Sequence, residues 1–75
     1  MRIYHLSKIG NVGYEAYSGF VVAAPSEEEA RRIAEEGDHT ESHWWTKKEH
    51  TSCVLIGTTY PGVVAGVIMS SFNAA

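Results

Sequence analysis

The sequence predicts an α+β domain of order β-β-α-β-β, one small and mostly antiparallel sheet with a single helix packed on one face. Three observations predict it. Runs rich in β-branched and aromatic residues recur at 2–9, 19–24, 51–60 and 63–72. Pro25-Ser26-Glu27-Glu28-Glu29 opens a stretch of helical periodicity. The 75 residues suffice for one domain, here 1–75, with a thin core.

The first strand reads from Arg2 to Ile9, carried by Ile3, Tyr4 and Leu6. Gly10-Asn11-Val12-Gly13 is a turn signal, because glycine and asparagine tolerate positive φ. Tyr14 to Tyr17 continue that connection. Gly19 to Ala24 is a second strand, apolar on both faces, and the two pair as a hairpin. Ser26 is an N-cap with Glu29 three residues on, the capping-box spacing. Glu27 and Glu28 favour the positive end of the helix dipole. The helix is expected from Glu27 to Glu36, with Gly37 in the C′ position. Its inward stripe is Ala30, Ile33 and Ala34; Arg31 and Arg32 point away, flanked by glutamates at helical spacing.

Asp38 to His50 is polar and irregular apart from Trp44-Trp45. Thr51 to Tyr60 is a third strand around Cys53-Val54-Leu55-Ile56, Pro61-Gly62 turns the chain, and Val63 to Phe72 is a fourth strand with Gly66 as a bulge. The last three strands carry large apolar residues on both parities, and one alanine-rich helix covers one face only. A homo-oligomer is therefore expected, its interface including Val64, Val67, Ile68, Met69 and Phe72. The competing arrangement folds the Trp44-Trp45 loop over the second face.

A net charge of −3 argues against general nucleic-acid binding. The apolar stretch from Val63 to Met69 is too short to span a membrane, and Met1 to His5 begins no signal peptide. The lone Cys53 makes no internal disulfide, which fits a reducing cytoplasm.

Chemistry-bearing residues are sparse. His39, His43, His50 and Cys53 match no zinc pattern, so no metal or other cofactor is expected. Cys53 lies in an apolar run, with no oriented carboxylate or oxyanion device evident, and no catalytic residue is assigned. Loop aromatics beside cationic side chains suit a ligand held by stacking and phosphate pairing. The candidate ligand-binding residues are Tyr14, Tyr17, Arg31, Arg32, Trp44, Trp45, Ser71 and Asn73. Adjacent tryptophans in an extended segment point opposite ways, so one is core and one exposed.

The opening Ile3-Tyr4, the Phe20-Val21-Val22 strand leading to Pro25-Ser26-Glu27-Glu28-Glu29-Ala30-Arg31, the loop tryptophan, Ile56-Gly57 and the close from Gly66 to Ala74 make the chain resemble small bacteriophage-encoded proteins. The Ser71-Phe72-Asn73-Ala74 stretch is the most specific part. Proteins of this look often end in glycine where this chain has Ala75. The resemblance implies a non-enzymatic accessory protein, inhibiting a host defence system in the host cytoplasm by binding a host protein or sequestering a nucleotide signal. The competing readings are a small metal- or histidine-dependent enzyme and a structural or assembly component of the virion.

Overall fold

The structure, a computed structural model, describes residues 1–9, 16–38 and 44–73, with backbone only for Ala16, Phe72 and Asn73. Its elements are β1 (Arg2–Lys8), β2 (Ala16–Ala24), α1 (Glu27–Gly37), β3 (Thr51–Thr58) and β4 (Gly66–Asn73). They form one antiparallel sheet of four strands, in the order β3-β1-β2-β4, with the helix on one face. The two strands nearest the N-terminus are thus central, and the two nearest the C-terminus are the edges.

Register fixes the faces. Tyr4 pairs with Val22 and Leu6 with Phe20, and these four residues pack with Ala24, Ala30, Ala34 and Trp45 in the core under the helix. Ile3, His5, Ser7, Gly19 and Val21 alternate onto the other face. The helix rests chiefly on β2, with β4 and β1 to either side. Ala30 and Ala34 are fully buried and Ile33 is half-buried, as the periodicity expects.

Ser26 caps the helix, its hydroxyl accepting from the Glu29 amide at 3.3 Å. The helix runs one residue beyond expectation and ends on Asp38, whose amide donates to the Glu35 carbonyl. Gly37 is not a left-handed C′ glycine; among the described residues the glycine at positive φ is Gly62, at 92° in the Pro61-Gly62 turn. Gly37 instead permits close packing, since a Cβ there would lie 3.4 Å from both Phe20 and Val67.

Other boundaries differ as well. β2 begins at Ala16, so Tyr17 belongs to a strand, stacked on Phe20 with ring centres 5.0 Å apart. Val63, Val64 and Ala65 precede the last strand instead of opening it. The bulge expected at Gly66 lies at Ile68, the unopposed residue between the pairs Val67–Val22 and Met69–Val21. Ile56 is its counterpart in β3, unopposed between Leu55 and Gly57.

Among the described residues, no loop or helix covers the second sheet face. Trp45 folds onto the helix side, where it meets the Phe20 ring edge-on at 4.9 Å and is fully buried. The competing arrangement, in which the tryptophan loop covers the second face, is thereby overturned.

Gly19 sits in the middle of the open face, and a Cβ there would come within 2.9 Å of the Leu6 carbonyl oxygen. That neighbour is main chain and cannot swing aside. Gly19→Ala should therefore cost about 1–3 kcal/mol in urea unfolding by forcing β1 and β2 apart; a variant as stable as wild type would contradict this packing.

Candidate functional site

The candidate ligand-binding residues do not converge within one chain. Arg31 is the clearest correction. Expected on the helix surface, it is 6% exposed and fully engaged. Its Nε donates to Glu27 Oε2 at 3.0 Å, Nη1 to the Trp45 carbonyl at 3.0 Å and to Thr51 Oγ1 at 2.8 Å, and Nη2 to the Thr51 carbonyl at 3.3 Å. The buried Thr51 hydroxyl also lies 2.9 Å from the Lys47 carbonyl, to which it donates. Arg31 therefore ties the helix to the loop and to the start of β3. The charge is buried because polar main chain surrounds it.

Trp45 is likewise structural. Its indole N–H donates to Asp38 Oδ2 at 2.7 Å, and the Lys8 ammonium lies 5.6 Å from the ring centre. Tyr17, Phe20 and Trp45 form one aromatic column on the helix side. Trp44 is the exposed partner of the pair, stacked on His50 with ring centres 4.5 Å apart. Arg32 lies on the outer helix surface, bridged to Glu29 and Glu36 at 2.6 Å each. Those contacts push the Arg32 guanidinium further up and hold Glu29 below the usual carboxylate range, the Arg32 hydrogen bond being the chief cause. The small stability this adds is present above the ordinary glutamate range and fades as pH falls through the lowered value. Ser71 is on the open face, its hydroxyl 2.9 Å from that of Ser18. Tyr14, His39 and His43 lie outside the described residues, as does the Asn73 side chain.

What the structure does bring together is an uncharged surface. Every one of the 15 charged residues lies at or before Glu49, counting six Lys and Arg with nine Asp and Glu. Beyond it the large aliphatic side chains among the described residues stand in water. Val64 is 85% exposed, Ile68 55% and Met69 61%, with Val67 also exposed. Sequence reasoning missed Val54, Leu55, Ile56 and Tyr60, which are exposed too, Tyr60 by 87%. The missed signal was topology: with β3 and β4 at the edges, both overhang a helix centred on β2. Between the edges the open face holds a shallow depression lined by His5, Ser7, Gly19, Val21, Met69 and Ser71. Its polar rim is self-paired, for the Ser7 and Ser52 hydroxyls lie 2.8 Å apart.

Cys53 faces the helix side of β3, half-buried, and burial pushes its thiol up to about 11. Among the described residues no group of three or more His, Cys, Asp or Glu is placed to hold a metal ion. No described helix is long and apolar enough to cross a membrane. Comparison with models of protein families, with curated proteins and with solved structures finds no match.

Two predictions follow from these environments. Arg31→Met leaves buried carbonyls unmet at roughly 1–3 kcal/mol each, a large part of the ~3–5 kcal/mol a domain of this size holds. It should be mostly unfolded by circular dichroism at 37 °C, whereas Arg32→Met should melt as wild type does; equal melting of the two would remove the bracket's importance. For Cys53, the rise from 9.0 to about 11 reduces the thiolate at pH 8 about 100-fold. Iodoacetamide should label the native protein at least that much more slowly than the urea-unfolded chain, and comparable rates would contradict the burial.

Proposed function

We propose that this chain is a non-enzymatic binding protein that works through the uncharged surface of its C-terminal half, as a homo-oligomer. The observation that carries this reading is the concentration of exposed apolar side chains on two uncharged edge strands and the segment joining them. A monomer that small, with such a surface in water, would be an aggregation hazard; a specific contact removes it. The thiol environment supports a non-catalytic reading, since a nucleophilic cysteine needs its pKa lowered and burial raises this one. Arg31, the cation nearest the core, is spent on internal carbonyls and is not free to activate a substrate.

The setting follows from the resemblance to small bacteriophage proteins. In that setting the protein is an accessory factor in the host cytoplasm that blocks a defence system, by docking on a host protein or by holding a nucleotide signal. Trp44 stacked on His50, with Lys47 and Lys48 exposed in the same loop, is the feature of the single chain best suited to a planar anionic ligand.

The test is plating of a phage on bacteria whose defence blocks it, with this chain co-expressed. Wild type should restore plaques. Ile68→Lys should abolish the effect while remaining folded, and Cys53→Ala should retain it. Loss of plaques in a folded Cys53→Ala variant would overturn the non-enzymatic reading.

A further inference from the structure

We infer that β4 pairs antiparallel with the β4 of a second copy about a two-fold axis centred on Ser71, making one continuous sheet of twice the width; this rests on the binding role proposed for the same surface. Both sheet edges are free of charge and of proline, the usual protections of a solvated edge. Each instead carries a bulge, and the bulge sites separate the two edges. In β3 the bulge-free run is Thr51 to Leu55, buried or half-buried from Thr51 to Cys53, so only Val54 and Leu55 are exposed in it before the bulged Ile56. In β4 the bulge at Ile68 comes early, and none of Met69 to Asn73 is itself bulged, the ladder's other irregularity being Ser18 on β2; Met69, Ser70 and Ser71 are exposed. The Ser71 carbonyl accepts from the Ser18 hydroxyl of β2 at 3.2 Å; on the side away from β2 the stretch is a template of backbone donors and acceptors with no partner among the described residues. Its middle residue is Ser71, so full antiparallel overlap of two copies places Ser71 opposite Ser71.

Symmetry favours this pairing over the alternative. Joining β4 of one copy to β3 of the next is heterologous and adds copies without end, whereas β4 to β4 closes on itself. Charge selects a second copy as the occupant. The chain carries −3, with acids crowded on the helix, whereas the strands joined here carry no charge, so the strand contact itself apposes no like charges. The spacing also fits. With the helix centred over β2, three inter-strand steps of ~4.8 Å separate the two helix axes by about 14 Å, enough for helices ~10 Å across. The strip between them is floored by Val67 from each copy, which faces the helix side and is exposed in the single chain. On the open face, the depression that ends at Met69 and Ser71 continues into its symmetry mate.

Light scattering across a dilution series reads the assembly, and three variants place it. Wild type should show an even number of subunits at high concentration. Met69→Lys should dissociate at least tenfold more readily with unchanged circular dichroism, while Val54→Lys on β3 should not. In a Cys53→Ser background, Ser71→Cys should form an intersubunit disulfide on mild oxidation and Ser52→Cys should not. A wild-type monomer at millimolar concentration, an assembly broken by Val54→Lys but not by Met69→Lys, or cross-linking at Ser52→Cys alone would each overturn the proposal. If such a protein still restores plaques, the binding role stands without the strand pairing; if wild type assembles as described but restores none, the binding role fails and the pairing stands.

Discussion

The fold depends on the guanidinium of Arg31. A sheet of four strands and an 11-residue helix faced with alanine enclose little apolar volume. What completes the core is Trp45, and Trp45 arrives on an irregular segment with no ladder to hold it. Arg31 supplies the hold by donating to the Trp45 carbonyl and to both oxygens of Thr51. One side chain thereby fixes the loop, the origin of β3 and the helix together. The indole N–H closes the same unit from the other side by donating to Asp38, the residue that caps the helix. No buried side-chain polar atom among those described lacks a partner, as a low-dielectric site of this kind requires.

That bracket also explains why the sheet is covered unevenly. It draws Trp45 to the helix side, and among the described residues no loop covers the opposite face. The helix sits over β2, so the edge strands project beyond it. Leu55 and Val67 belong to the helix side by register, yet both are exposed, because the layer above them ends too soon. The bare surface is a consequence of how the thin core closes.

Much of this was legible in the sequence. Strand runs, the Pro25-Ser26 stop and cap, and the alanine stripe point to the same β-β-α-β-β order, and the structure has it. The division of Trp44 and Trp45 into one exposed and one buried ring follows from their adjacency. Arg31 was not legible, because an arginine with glutamates at helical spacing looks the same whether its outer atoms face water or a buried carbonyl. Only the path of a distant loop decides. Tyr17 was misplaced because the sequence reading opens the strand at Gly19, with Ser18 before it; in the structure Ser18 is a bulge within the strand and Gly19 a site of close strand approach. The exposed β3 residues were hidden for a topological reason. A central apolar strand and an edge apolar strand have the same composition, and strand order is not written in periodicity.

The distribution of charge connects these points to the proposed role. All the formal charge lies between Arg2 and Glu49, and the chain after Glu49 has none. Two copies approaching at random therefore repel through their acidic helices. At physiological salt that repulsion decays over about 8 Å, so it is strongest where two helix layers meet face to face. An edge approach is opposed less, because the strands that meet carry no charge. On that approach unpaired backbone and exposed isoleucine, valine and methionine are the first groups to meet. In the proposed pairing, orientation is thus biased by repulsion elsewhere on the molecule.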